Sequence, residues 1–136
     1  MSVLYSRELL RLGTRLADHP PLDSADALAT RRSSVCGSEV TATVRMAGDR
    51  IVALGLDAKA CALGQASAAL FADRAGGLSR ADVATARAHL ADWLSGERED
   101  APDGFDPLAP ARRHAARHPS MLLAYDAALD ALTAGR

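Results

Sequence analysis

The chain has 136 residues, of which 49% are hydrophobic and 24% are charged, and its formal net charge is -1. This length fits one domain that buries roughly two thirds of the surface its unfolded chain would expose. The near-neutral charge argues against a disordered chain and against nucleic acid as a partner, so we predict a single domain over residues 1–136.

The first predicted element is an amphipathic helix from Leu4 to Ala17. Its apolar residues recur at i, i+4, i+7 and i+11 and form one stripe: Tyr5, Leu9, Leu12 and Leu16. Pro20 and Pro21 follow it, and proline cannot continue a helix. We expect the polar segment from Leu22 to Ser34 to be an ordered loop or a partial strand.

A β-hairpin is predicted next. Side chains from Glu39 to Met46 alternate between apolar and polar, which is the pattern of a half-buried strand. Residues 47–50 form the turn, and Ile51 to Asp57 returns as a second strand that is apolar on both faces. Strict alternation would put Ile51, Ala53 and Gly55 on one face and Val52, Leu54 and Leu56 on the other.

Three further helices follow the hairpin. They are predicted from Ala62 to Ala75, from Arg80 to Ser95 and from Ser120 to Leu132. A capping box at residues 79–82 marks the start of the middle one. The proline-rich segment 97–110 is expected to be a solvated loop, and residues 111–117 a short basic helix or an extended connector. This order predicts the α+β class, with a small antiparallel sheet packed against several helices.

The sequence also predicts where the protein is located. The first residues alternate charge with leucine and lack the apolar core of a signal peptide, so we expect a cytoplasmic protein. No run approaches the ~18 consecutive apolar residues of a membrane span, so no membrane partner is expected. Two cysteines in a reducing compartment are poor candidates for a permanent disulfide, which leaves packing, metal binding or thiol chemistry.

Cys36 and Cys61 stand at the two ends of the predicted hairpin, which would bring them close at one end of the sheet. Gly37 lets the chain bend beside Cys36 and leaves room around its sulfur. Cys61 lies just before a helix, whose unpaired N–H groups and dipole favour a thiolate, as does nearby Lys59. On these patterns alone, packing as a small apolar residue is the favoured interpretation of Cys36, whereas for Cys61 packing and a thiolate role fit equally well.

The histidines give a weaker signal. His114 and His118 are four residues apart, which on a helix places both on one face, as in some metal sites. The arginines around them argue against a nearby cation. The sequence has no Walker loop, no H-E-x-x-H and no C-x-x-C, which excludes the common nucleotide, zinc-protease and dithiol sites.

Two motifs resemble one known family. The sequence A-C-A-L-G-Q-A-S-A at residues 60–68, with Cys36-Gly37 opening the hairpin, is similar to the U-type iron-sulfur cluster assembly scaffolds. These are the IscU and SufU proteins and the N-terminal domain of NifU. The resemblance covers most of the chain, because the first helix, the hairpin, the second-cysteine helix and the final helix occur in the family's order.

The resemblance implies a site of three cysteines and one aspartate that holds an iron-sulfur cluster or zinc. Cys36 and Cys61 match the first two cysteines and are implied to bind metal and to accept sulfur. Ser38 stands where the family has aspartate, and Ser120 stands where it has the third cysteine. His118 matches a family histidine beside that cysteine, so His118 and Ser120 are weaker candidate ligands.

The implied function is a non-enzymatic scaffold. Its implied cofactor is iron or an iron-sulfur cluster, with zinc as an alternative, and its implied partners are a cysteine desulfurase and recipient apo iron-sulfur proteins. Serine is a far weaker soft-metal ligand than thiolate. A fourth donor would therefore come from Ser120, Glu39, an external thiol or the second chain of a homodimer.

Two alternatives to the scaffold stay open. In the first, Cys36 or Cys61 accepts a persulfide from the desulfurase and relays the sulfur, as a sulfurtransferase would, without a lasting metal site. In the second, the chain has lost its metal and serves as an interaction module.

Overall fold

The computed structural model describes residues 6–34 and 37–134. Its strands are β1 (Ala27–Arg32), β2 (Glu39–Ala47) and β3 (Arg50–Lys59). Its α-helices are α1 (Arg7–Thr14), α2 (Ala62–Arg74), α3 (Arg80–Ser95) and α4 (His118–Ala134). Short 3-10 helices cover Arg15–Asp18, Asp106–Arg113 and Ala115–Arg117. The predicted α+β class is confirmed.

The three strands form one antiparallel sheet in the order β1-β2-β3. Glu39, the first residue of β2, pairs with Arg32 at the end of β1 and with Lys59 at the end of β3. The end of β1, the start of β2 and the end of β3 therefore meet at one edge of the sheet. This is the edge at which the sequence predicted a site.

The core lies between one face of the sheet and two helices. α4 packs across β1 and β2, and α2 lies beside it on β3. α1 then packs on α2, and α3 packs on α4. Many of the buried residues on α2 and α4 are alanine, which lets these two helices approach each other closely. Within the described residues, no helix has the length and apolar character needed to cross a bilayer.

A bulge corrects the predicted faces of the second strand. Arg45 pairs with Ala53, whereas Met46 pairs with Ile51, so Val52 is an extra residue without a partner on β2. The bulge shifts the alternation by one residue. As a result, three residues of β3 share the core face, namely Ile51, Leu54 and Leu56, while Val52 is 58% exposed.

Several element boundaries differ from the predictions by a few residues. Leu4 and Tyr5 lie outside the described residues, and the regular part of α1 ends at Thr14 rather than Ala17. Segment 22–34 contains the partial strand that was one of its two expected forms. The predicted loop at 97–110 ends in a 3-10 helix, and α4 begins two residues before Ser120. The predicted capping box at 79–82 is present.

The segment after α1 covers the outer face of the sheet at Gly55. The backbone N–H of Leu56 donates to the carbonyl of His19 at 2.9 Å, and that of Leu22 donates to Thr43 Oγ1 at 2.9 Å. A Cβ atom on Gly55 would lie 2.8 Å from the Pro21 Cα and 2.9 Å from the Leu22 nitrogen. Only glycine leaves room for this crossing.

We predict that Gly55→Ala lowers the free energy of unfolding by about 2 kcal/mol, because the added methyl group meets backbone atoms that cannot rotate away. Gly76→Ala is the control, since a Cβ there meets no atom within 4 Å. Its stability should stay within about 0.5 kcal/mol of the parent protein. Urea unfolding measures both, and equal stabilities for the two variants would contradict the proposed packing.

Candidate functional site

A cavity of about 390 Å³ opens at the edge where the three strand ends meet. The loop before β2, the end of β3, the start of α2 and the segment that leads into α4 all contribute to it. Its lining residues are Gly37, Ser38, Lys59, Ala60, Cys61, Ala116, Arg117 and Ser120. Segments far apart in sequence thus surround one thiol.

Cys61 is the N-cap residue of α2. Its backbone is extended (φ -67°, ψ 171°), and its carbonyl accepts the hydrogen bond from the Gln65 N–H at 2.9 Å. Its side chain makes no capping hydrogen bond, and it is partly exposed. The thiol is therefore available to the cavity rather than committed to the helix end.

Two buried hydroxyl groups lie behind the thiol. Ser120 Oγ is 3.6 Å from Cys61 Sγ, and it is 3.3 Å from Ser38 Oγ. Ser120 is only 2% exposed and Ser38 only 5% exposed. The structure thus brings together Cys61 and Ser120, which the sequence had singled out 59 positions apart. Ser38, which stands where the family has aspartate, lies in the same group.

Gly64 makes this approach possible. A Cβ atom on Gly64 would collide with Ser120 Oγ, and it would lie 2.9 Å from Ala60 Cβ and 3.2 Å from the Ser120 carbonyl oxygen. One turn further along α2, the Ser67 hydroxyl donates to the Met121 carbonyl at 2.6 Å. These contacts hold the start of α4 against the start of α2. They therefore also hold the Ser120 hydroxyl in place.

Charged residues at the rim are unevenly distributed. Lys59 and Arg117 line the cavity, and no carboxylate is among its described lining residues. Glu39 lies on the neighbouring surface, where its carboxylate binds Arg32 at 2.5 Å and faces Lys59 at 4.0 Å. The hydrogen bond and charge of Arg32 hold the pKa of Glu39 below its usual value of 4.5, and Lys59 adds a smaller effect. This carboxylate, a candidate fourth donor, is thus engaged in ion pairs.

His118 lies in a different environment from Cys61. Its Nε2 is 2.9 Å from the Ala111 carbonyl oxygen, and its side chain lines a second cavity of about 420 Å³ with Arg87 and Asp126. Cys36 lies outside the described residues, although Gly37 and Ser38 beside it line the Cys61 cavity. Within residues 6–34 and 37–134, no three His, Cys, Asp or Glu side chains gather as a metal site.

Sequence reasoning missed the role of Gly64 and the placement of Arg117 in the lining. A signal for Gly64 was available, because a glycine inside a helix costs about 1 kcal/mol relative to alanine and so often has a packing reason. No sequence signal separated Arg117 from the arginines near it.

Fold and site together describe a small α+β domain with a thiol at a helix N terminus, where three strand ends meet. A scan against protein-family models found no match, and a search of curated proteins found none either. Solved structures do match. The chain is 31% identical to the N-terminal part of a nitrogen-fixing NifU-like protein from Brucella abortus, with a TM-score of 0.85 over 96% of this chain and 92% of that one.

Two further structures have the same fold. One is a proposed iron-sulfur cluster assembly scaffold protein for the SUF system of Fervidobacterium islandicum AW-1, at 21% identity and a TM-score of 0.78, covering 95% of this chain and 96% of that one. The other is a hypothetical protein at 20% identity and a TM-score of 0.70, covering 90% and 97%. Because the first of these three matches is 31% identical over most of both chains, the chain belongs to the U-type scaffold family, which includes the NifU-like N-terminal domains.

We predict that Arg32→Ala raises the pKa of Glu39 toward 4.5, and that Lys59→Ala raises it less. Because the folded-state pKa is lowered, the ion pair stabilises the fold above the unfolded-state pKa, and this stabilisation is lost as pH falls through the folded-state value. NMR titration of the Glu39 carboxyl measures both variants. A larger shift in Lys59→Ala would contradict the assignment of Arg32 as the main partner.

We also predict that Gly64→Ala lowers the free energy of unfolding by about 1–3 kcal/mol, because the methyl group pushes the start of α4 away. Gly13→Ala is the matched control inside a helix, where a Cβ would meet Gln65 Cβ at an ordinary 3.5 Å. Alanine should raise stability there by up to about 1 kcal/mol. Urea unfolding measures whether each variant gains or loses free energy of unfolding. A Gly64→Ala variant more stable than the parent protein would disprove the close contact.

Proposed function

We propose that this protein is a scaffold of iron-sulfur cluster assembly that carries iron or a cluster on Cys61 and Cys36. The observation that supports it most is the partly exposed Cys61 thiol at the mouth of a cavity, in a chain 31% identical to a NifU-like domain. Iron or the cluster is the cargo in this function, and the protein itself catalyses no reaction. A cytoplasmic location stays a prediction from the sequence.

The donor atoms indicate how such cargo is held. A zinc ion or a cluster takes about four donors, mostly thiolates. The described part of the cavity offers one thiol and two hydroxyl groups, and Cys36 would supply a second thiol. One chain therefore offers too few soft donors to retain a cluster permanently. Further donors would come from a second copy of the chain, an external thiol or the recipient protein.

The proposed partners follow from this cargo. A cysteine desulfurase would supply sulfur, and apo iron-sulfur proteins would receive the finished cluster. A partly exposed thiol at an open cavity suits both exchanges, because each requires another protein's reactive group to reach the sulfur of Cys61.

A persulfide relay is the second candidate, and the charges of the cavity favour it. In this reaction the Cys61 thiolate attacks the terminal sulfur of a desulfurase persulfide. The sulfur–sulfur bond of the donor breaks, its cysteine leaves as a thiolate, and a new persulfide forms on Cys61 without any net oxidant. Lys59 and Arg117, with no carboxylate among the described lining residues, suit an anionic persulfide better than a bare metal cation.

Anaerobic reconstitution tests both candidates. We predict that the protein incubated with iron, a thiol, cysteine and a desulfurase develops cluster absorbance, and that Cys61→Ala reduces it at least tenfold. Ser95→Ala, at the end of α3 and outside the cavity, is the control that should retain it. Metal analysis and mass spectrometry of the thiols accompany the spectra.

The outcomes separate the candidates. Cluster absorbance that depends on Cys61 supports the scaffold, whereas a mass increase of one sulfur on Cys61 without bound metal supports the relay. If the folded protein forms neither a cluster nor a persulfide, both candidates are contradicted, and the interaction module is the remaining alternative.

A further inference from the structure

We propose that the outer edge of β1 is an interface at which a second copy of this chain adds its own β1. The two strands pair antiparallel about a two-fold axis and join the two three-stranded sheets into one. The inference is independent of the proposed function, because it uses β1 and the charges beside it rather than the Cys61 cavity.

The two outer strands of the sheet differ in how their edges are covered. On β3, the Ile51 N–H donates to the Leu78 carbonyl at 2.9 Å, and the Leu56 N–H donates to the His19 carbonyl at 2.9 Å. On β1, no described residue outside β2 hydrogen-bonds to the main chain of the strand. Such an edge presents N–H and C=O groups with which another strand can pair.

The register shows which residues of β1 face this edge. The Ser33 N–H donates to the Ser38 carbonyl at 2.8 Å, in line with the pairing of β1 and β2. Hydrogen-bonded and non-hydrogen-bonded pairs alternate along an antiparallel ladder. The odd-numbered residues of β1 therefore bond to β2. The even-numbered residues, Leu28, Thr30 and Arg32, direct their main-chain groups outward.

An exposed apolar side chain lies on the same edge. Leu28 is 61% exposed, more than any other large apolar side chain among the described residues. In a two-fold pair centred on Ala29, Leu28 lies opposite Thr30 of the second copy and forms hydrogen bonds with it, about four in the pair as a whole. The leucines of the two copies are then diagonal neighbours, within contact distance of each other. Pairing thus removes apolar surface from water.

The charges beside β1 identify a second copy as the occupant. The segment before the strand carries Asp23 and Asp26, and the strand ends in Arg31 and Arg32. The pair centred on Ala29 sets Asp26 of each copy opposite Arg32 of the other. It also directs Asp23 toward the cavity of about 420 Å³ that both arginines help to line. The acidic flank of one copy thus meets the basic end of the other twice, whereas parallel strands would bring the arginines together.

The arginines do not prevent this pairing. Charged side chains on an open edge often block strand addition. Here Arg31 binds Asp130 at 3.0 Å and Arg32 binds Glu39 at 2.5 Å, so both charges are balanced within the chain. One strand pair with its flanking charges buries less surface than a stable dimer needs, so we expect a weak dimer that exchanges with monomer.

The arrangement also determines where the two Cys61 cavities lie. Each cavity is at the edge where its own β1 ends, and antiparallel strands end on opposite sides of the joined sheet. Both cavities therefore stay open to other proteins in the dimer.

Sedimentation of the full chain, from micromolar to millimolar concentration, tests the inference without iron or a desulfurase. We expect a concentration-dependent dimer that Leu28→Lys weakens at least tenfold. Thr30→Pro should weaken it similarly, because proline removes an N–H that faces the edge and none that bonds to β2. Val52→Lys is the matched control, because it makes a similar change at a 58% exposed side chain on β3 and should leave the dimer intact.

A cross-link tests the register. In a chain whose Cys36 and Cys61 are replaced by serine, Ala29→Cys sets two thiols opposite each other in a non-hydrogen-bonded pair. The Cα atoms of such a pair are about 4.5 Å apart, a distance that a disulfide spans. We expect air oxidation to yield a disulfide-linked dimer. Ala27→Cys, which lies opposite Arg31 of the second copy, is the control and should stay largely monomeric.

The outcomes decide the question. A chain that stays monomeric up to millimolar concentration would overturn the inference and leave an extended segment of another protein as the occupant of this edge. A dimer unaffected by Leu28→Lys, or equal cross-linking of Ala27→Cys and Ala29→Cys, would overturn it as well. If Thr30→Pro does not fold, the comparison of Leu28→Lys with Val52→Lys is sufficient. Failed cluster reconstitution of the parent protein leaves all these measurements unaffected.

Discussion

The close contact between the starts of α2 and α4 is the constraint on which the site depends. Gly64 has no side chain, so the Ser120 hydroxyl enters the space beside α2 and reaches the sulfur of Cys61. The same hydroxyl contacts Ser38 at the start of the sheet, which links two helices and one strand end through a single buried atom. Any change that separates the two helices also moves the Ser120 hydroxyl away from the thiol. The packing of α2 against α4 therefore also determines the distance between the Ser120 hydroxyl and the Cys61 thiol. A substitution that disturbs this packing disturbs the site as well.

The sheet contributes by gathering chain segments at one edge. Glu39 pairs with both Arg32 and Lys59, so the residues just before β2 and just after β3 meet there although they lie more than 20 positions apart. The bulge at Val52 lies near the opposite end of the hairpin, where it turns Ile51 toward the core without disturbing the pairing next to the site. The segment over Gly55 closes the outer face in the middle of β3. Irregular features of the sheet thus lie away from the edge that carries Cys61.

Much of the fold could be predicted, because local periodicity determines it. The alternation from Glu39 to Met46 and the capping box at Ser79 each depend on residues close in sequence. β1 was harder, since it is an edge strand whose Leu28 is 61% exposed and whose last residues are arginines, so its pattern resembles a polar loop. The bulge depends on the register between two strands, and no window of one strand reveals it. At the site, the resemblance singled out Cys61 and Ser120, which the structure places 3.6 Å apart, whereas the direction of His118 follows from where α4 begins. Two residues apart on a helix are about 200° apart around its axis, so His118 and Ser120 face different cavities.

A carrier of a metal cluster has to balance retention against release, and the donor set determines this balance. Four thiolates in a closed site would hold a cluster firmly and would resist its transfer. Here the fold places two hydroxyl groups beside Cys61, and the cavity is also lined by the cations Lys59 and Arg117. Hydroxyl groups bind soft metals weakly, and the cations favour anionic sulfur over a bare metal ion. In the function proposed above, such a donor set would suit the transfer of sulfur or of a weakly held cluster better than its storage, because one thiol and two hydroxyl groups hold a soft metal less firmly than four thiolates.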